Sequence, residues 1–219
     1  MIAPKVFVLN GWAASASAWS LCGFKRERVF SYVEQLDGEP EKVLEREDDL
    51  VLVGWSMGGS SALRLALKWP EKIRALVLVA ATPRMMEDKP ASWRGMSERR
   101  LAALKKGLMM TGGGGLFGPP ADKPNPYLVD DEANLDRGLE YLVATDLRQR
   151  LCEAEALRAK GGKVWIFQSE HDGIVRPENA AFLAEVFHGA KLTVVPGVEH
   201  ALPIFIPEMI DDAVKEALS

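Results

Sequence analysis

A serine hydroxyl is a poor nucleophile until a base takes its proton, and this chain offers one serine in a setting made for that chemistry. Ser56 stands in Gly54-Trp55-Ser56-Met57-Gly58, after the apolar run Val51-Leu52-Val53 and before SSALRLALKW, Ser60 to Trp69. In that second stretch Leu63 and Leu67 fall one helical turn apart, and Pro70 ends the pattern. The local order is strand, tight turn, helix. The flanking glycines leave room at a strained corner from which the hydroxyl projects, and larger residues there would collide with the serine. Gly-x-Ser-x-Gly alone arises by chance; its apolar strand, its helix and suitable partners downstream make it a nucleophile elbow.

Three histidines could serve as the base. His188, in VFHG, falls where a helix ends, a place that favours a cation or a carbonyl partner. His171 shares a loop with Asp172 and reads as an exposed neighbour. His200, in VPGVEHALP, follows the last strand-like run and falls at the edge where the carboxyl ends of parallel strands converge. It is the expected base. An imidazole in that role needs an acid to fix its tautomer, and Asp172, in SEHDGIVRP after the preceding strand, is the expected partner. Glu170 and Glu199 compete by proximity only. The run after the elbow ends in Ala80-Ala81-Thr82 and supplies no carboxylate.

The elements that must position these residues alternate between strands and helices. Strands are expected at 5–9, 28–33, 74–80, 163–168 and 191–195 besides the one before Ser56, with helices at 40–49, 146–159, 177–187 and 206–218. Such alternation predicts an α/β fold with a mainly parallel sheet and helices on both faces. Asn10-Gly11-Trp12-Ala13 follows the first strand; its loop reads equally as a source of backbone N–H groups for an oxyanion or as plain turn chemistry. Residues 83–145 break the rhythm with Gly112 to Gly115, Pro119-Pro120 and Pro124-Asn125-Pro126, which predicts a lid inserted into a core of 1–82 and 146–219, with a mobile connection at the glycines. No strand and Lys-Ser/Thr frame those glycines as a phosphate loop.

A length of 219 residues with 47% hydrophobic composition fits a single α/β domain, expected as a monomer. The net charge of −4 argues against a nucleic-acid partner. No apolar run approaches bilayer length, and the first residues lack the pattern of a secretory signal, so a cytoplasmic protein with no membrane contact is expected. Cys22 and Cys152 lack metal-type spacing and are expected as reduced, partly buried thiols. The chemistry calls for neither a metal nor an organic cofactor.

The order Ser56, Asp172, His200 is that of the alpha/beta hydrolases, and the chain resembles that superfamily. Within it, the chain is similar to the pimeloyl-[acyl-carrier-protein] methyl ester esterases of biotin synthesis. The likeness rests on Asn10-Gly11-Trp12, on GWSMGG, EKIRALVLVAATP, GLEYLVATDLRQ and DGIVRP, and on the loop of His200. Asn10 stands where such sequences commonly carry His, and Ala13 where they carry a second Gly. The resemblance implies an oxyanion hole made by the backbone N–H groups of Trp12 and Met57, and an acyl pocket lined by Trp12 and Trp55. It also implies a small acyl ester as substrate, carried on an acidic acyl carrier protein. Arg94, Arg99, Arg100, Lys105 and Lys106 against Glu98 give a local excess of four positive charges (5 − 1) suited to such a partner, and Arg148 is a further candidate. The expected activity is carboxylic ester hydrolysis through an acyl-enzyme. The alternatives are a general short-chain carboxylesterase or lactonase, and a hydrolase-like binding protein without catalysis.

Overall fold

The computed structural model describes residues 3–88, 92–111 and 132–219. Six strands, β1 Lys5–Leu9, β2 Arg28–Phe30, β3 Leu50–Trp55, β4 Ile73–Val79, β5 Val164–Ser169 and β6 Lys191–Val195, form one sheet in the order β2-β1-β3-β4-β5-β6. Every pairing is parallel. The ten helices among the described residues are α1 Tyr32–Leu36, α2 Glu39–Leu44, α3 Met57–Lys68, α4 Glu98–Thr111, α5 Glu132–Ala144, α6 Arg148–Glu153, α7 Glu155–Arg158, α8 Pro177–Val186, α9 Leu202–Phe205 and α10 Pro207–Leu218.

Because side chains alternate along a strand, each strand feeds two cores. Val6, Val8, Val51, Val53, Val77 and Phe167 face one side, where α10, α4 and α5 pack, while Phe7, Leu9, Leu50, Leu52, Leu76 and Ile166 face the other, against α3 and α8. All six residues of β3 are buried, which is why its sequence shows no polar alternation. Truncating the fully buried Leu52 to Ala would cost about 2–5 kcal/mol. The parallel pairing brings the loops after β1, β3, β5 and β6 to one edge, as expected for an α/β sheet of this kind.

Some boundaries differ from the sequence reading. The second strand stops at Phe30, not 33, because Ser31 caps α1: its hydroxyl accepts from Glu34 N while the Glu34 carboxylate accepts from Ser31 N. The helix expected over 40–49 ends at Leu44. The one expected over 146–159 breaks at Ala154, with φ −81° and ψ 70°, giving α6 and α7. Cys22 is buried as expected, and burial pushes its thiol up to about 12; Cys152 is exposed. The glycine run at 112–115 and the prolines at 119–126 lie outside the described residues. Among the described residues no helix is long and apolar enough to cross a membrane.

Candidate active site

Ser56 joins β3 to α3 with φ 55° and ψ −119°, a conformation that costs a non-glycine residue about 1–3 kcal/mol. Neighbouring strands hold it there: Ser56 N donates to Val79 O of β4 at 2.9 Å, and Gly59 N donates to Ser56 O at 2.9 Å. The glycines serve the backbone and not the serine side chain. A Cβ on Gly58 would lie 2.0 Å from Leu9 O, and one on Gly54 would lie 2.5 Å from Gly58 O. The expectation that larger residues would strike the serine is therefore corrected. They would strike β1 and the first turn of α3, whose close packing forces the corner.

The structure brings Ser56, Asp172 and His200 together from three strand ends. His200 Nε2 lies 2.8 Å from Ser56 Oγ and its Nδ1 lies 2.8 Å from Asp172 Oδ2. With the carboxylate facing Nδ1, the ring proton belongs on that nitrogen, which leaves Nε2 to accept the serine hydroxyl. The Asp172 side chain is fully buried. Burial raises its carboxyl pKa, but the His200 charge and hydrogen bond, with the amides of Ile174 and Val175 donating to Oδ1 at 2.8 and 2.9 Å, more than offset it and leave the group below the usual carboxylate range. Gln168, a buried polar residue closing an apolar strand, donates to Asp172 Oδ2 at 3.2 Å. The Ser169 hydroxyl donates to Val198 O, tying the loops of Asp172 and His200 together. The rival groups stand apart: His171 and Glu170 are exposed with 3.8 Å between them, and His188 and Glu199 are exposed.

Behind Ser56, residues 10–14 form a tight loop. Asn10 is fully buried; its amide donates to Ala14 O at 2.8 Å, and its Oδ1 accepts from Gly11 N at 3.0 Å and from the Trp19 indole at 3.1 Å. Asparagine thus organises the loop from within, and Ala13 adopts φ 60°. Gly11 and Trp12 line the cavity at Ser56, and the backbone amides of Trp12 and Met57 donate to no partner among the described residues. Trp55 lines that cavity too, and its indole also donates to His200 O at 3.0 Å with the two rings 5.8 Å apart. That second role of Trp55, holding the base's main chain, had no sequence signal beyond its adjacency to Ser56.

The cavity over Ser56 is small, about 20 Å³, and apolar apart from the serine and histidine; Met85, Leu101, Leu104 and Leu142 close it from above. A space of that size holds about one water. A groove of about 350 Å³ lies outside it along α4, reaching Met96, Arg100 and Glu199. Leu104, Ile174 and His200 border both. Among the described residues no cluster of three or more His, Cys, Asp or Glu side chains is placed to hold a metal ion.

The arginines have different fates. Arg148 bonds to both Asp88 and Asp146 and lies 5.0 Å over the Trp93 ring, so its guanidinium is already engaged within the chain. Arg94 pairs with Glu178 at 3.0 Å, and Arg100 donates to Gly173 O at 2.7 Å. Arg99 is exposed on α4, as is Lys106 two turns on.

Residues 15–213 match the alpha/beta hydrolase family. The chain belongs to that family. It is 26% identical to a pimeloyl-[acyl-carrier protein] methyl ester esterase from Nitrosospira multiformis, covering 94% of this chain and 90% of the relative. A protein of the same name from Nitrosomonas europaea is also 26% identical, over 94% of this chain and 92% of its own. Among solved members of the fold, an enol-lactonase from Burkholderia xenovorans superposes with a TM-score of 0.67 at 17% identity, over 100% of this chain and 92% of its own. A lipase-esterase related protein from Clostridium acetobutylicum does so with 0.68 at 14%, over 97% and 93%.

Proposed function

We propose that this chain is a serine carboxylic ester hydrolase that works through an acyl-enzyme and demethylates a pimeloyl-[acyl-carrier-protein] methyl ester in biotin synthesis. The observation that carries the hydrolase reading is the single imidazole of His200 within 2.8 Å of both a strained serine hydroxyl and a buried aspartate. His200 takes the Ser56 proton as the oxygen attacks the ester carbonyl. The amides of Trp12 and Met57 hold the oxyanion, and Asp172 stabilises the imidazolium. His200 then returns the proton to the departing alkoxide, which leaves as the alcohol. Water repeats the sequence on the acyl-Ser56 ester and releases the carboxylic acid.

The substrate reading is supported by the names of the relatives, which act on a carrier-linked methyl ester. Residues 83–145 act as the lid on a core of 1–82 and 146–219. Their ends are pinched together by a bridge between Arg84 and Asp146 and by Leu147 N donating to Pro83 O at 2.9 Å. An ester larger than one water needs that lid to lift. On its outer face Arg99 and Lys106, flanked by Arg94 and Arg100, are the cations that meet an acidic carrier, while Arg148 anchors the lid from within. The small cavity also favours a second reading, a general short-chain carboxylesterase or lactonase. Side-by-side turnover of the carrier-linked methyl ester and a p-nitrophenyl acyl ester decides between them: a kcat/KM higher by orders of magnitude on the carrier-linked ester supports the first reading, and a preference for the small ester supports the second. No turnover of either would reject both.

A further inference from the structure

Gly138 lies in the middle of α5, where glycine weakens a helix relative to alanine, and it does not have the positive φ that would call for one. What calls for it is Trp12. A Cβ on Gly138 would lie 2.3 Å from Trp12 Cδ1 and 2.7 Å from its Nε1. Bare helix backbone is therefore the surface against which the indole rests. One turn earlier, Leu135 O accepts the indole N–H at 3.0 Å. The helix and the indole fix each other twice, through a directed bond and through contact at the pyrrole edge. Below the indole, the same residue's main chain belongs to the Asn10–Ala14 loop beside Ser56, and Trp12 and Leu142 of α5 line one cavity. Elsewhere on α5, the Tyr141 hydroxyl lies 3.2 Å from Ser61 Oγ on α3, and Arg137, just before Gly138, pairs with Asp37.

We propose that Gly138 is a positioning residue: it lets the lid helix α5 close onto the Trp12 indole, and this contact sets the loop that carries the Trp12 amide. Oxyanion stabilisation is then complete only when α5 is seated, so the lid switches on the chemistry as well as covering it. The proposal rests on the ester-hydrolase reading with Trp12 as an oxyanion donor. Electrostatic donors of this kind lose their effect with small displacements, and removing one outright costs about 10²–10³ in kcat.

The test compares Gly138→Ala with Gly107→Ala, a second helix glycine in the lid where a Cβ would meet none of the described residues within 4 Å. On a p-nitrophenyl ester, Gly138→Ala should lower kcat by about 10- to 100-fold with KM within about twofold, and it should weaken a trifluoromethyl ketone inhibitor in step with kcat/KM. The better helix propensity of alanine offsets only part of the clash with the buried indole, so Tm should fall modestly while the variant stays folded at assay temperature. Gly107→Ala should stay within about twofold in every constant. Trp12→Phe removes the pyrrole edge that the new methyl would strike. The double variant Trp12→Phe with Gly138→Ala should therefore recover to the rate of Trp12→Phe alone, which sits a few-fold below the parent at similar KM. A wild-type rate in Gly138→Ala, or a loss that Trp12→Phe does not restore, overturns the proposal. Should Gly138→Ala fail to fold, Trp12→Phe alone decides, because an unchanged kcat there contradicts the coupling. Failure of the hydrolase reading itself would appear separately, as activity that survives Ser56→Ala in the parent chain.

Discussion

The floor and the roof of this site are built on different physical principles. The floor is a sheet edge whose carboxylate is buried and fully engaged: Asp172 has two amides, Gln168 and His200 around it, and the Ser56 corner is wedged between β1, β4 and α3. The roof is held by apolar contacts from Leu101, Leu104 and Leu142 and, at its margins, by half-exposed ion pairs: Arg84 with Asp146, Arg148 with Asp88 and Asp146, Lys105 with Asp136, and Arg137 with Asp37. Exposed pairs of this kind contribute about 0–1 kcal/mol each and weaken with salt. The floor is therefore held by buried, directed bonds, while the roof rests on apolar contacts and on ion pairs at its margins, over a cavity of about 20 Å³.

Breaking the floor should cost most. Ser56→Ala and His200→Ala should each lower kcat by on the order of 10⁴–10⁶, and the double change should cost little more than either alone, because the two act as one unit. Additive losses in steady-state kinetics would mean that they act separately. Asp172→Asn should follow at on the order of 10³–10⁴, with the protein still folded by circular dichroism, since the amide holds the wrong His200 tautomer. A larger loss from Glu199→Gln would move the acid to that neighbour.

Changes to the roof should be smaller and of another kind. Arg148→Met removes a shared partner of Asp88 and Asp146, so proteolysis within 84–146 should accelerate and kcat/KM should fall a few-fold while the Tm of the whole chain changes little. Hydrogen bonds from Arg148 are the main cause holding both carboxyls below their ordinary 3.8. Their folded values are depressed, so the stabilisation is present above the unfolded value and is lost as the pH falls through the folded values below 3.8. Acid titration of lid protection against protease should show a larger loss in the parent than in Arg148→Met, where Arg84 still pairs with both carboxylates. Least of all, Arg99→Glu with Lys106→Glu should raise KM for a carrier-linked ester and flatten its salt dependence, while leaving a p-nitrophenyl ester unaffected. Equal losses on both substrates would point to lid damage instead.

The floor was also the more legible part. A strand, a corner and a helix around Ser56, with Asp172 and His200 following later strands, could be read because parallel strands send successive loops to one edge and the order of elements then fixes the neighbours. The overrun of the second strand was avoidable, since Ser31 and Glu34 carry a capping box in plain sight. Other features were not legible, because they depend on approach between distant segments. The glycine at 58 answers to the carbonyl of Leu9, the indole of Trp55 answers to the main chain of His200, and Gly138 answers to Trp12 across more than a hundred residues. The charge excess at 94–106 is a fact of composition, but only the folded chain distinguishes Arg99, exposed on α4, from Arg148, enclosed by two carboxylates and a tryptophan.

The central claim is that Ser56 carries the acyl group, and trapping that adduct tests it most directly. Rapid acid quench of the chain with a p-nitrophenyl ester, followed by peptide mass spectrometry, should place one acyl group on the peptide containing Ser56, with accumulation increased in a variant slowed at deacylation. Ser56→Ala should give no adduct and no burst of nitrophenol. An acyl group on another residue, or undiminished turnover without Ser56, would contradict the account.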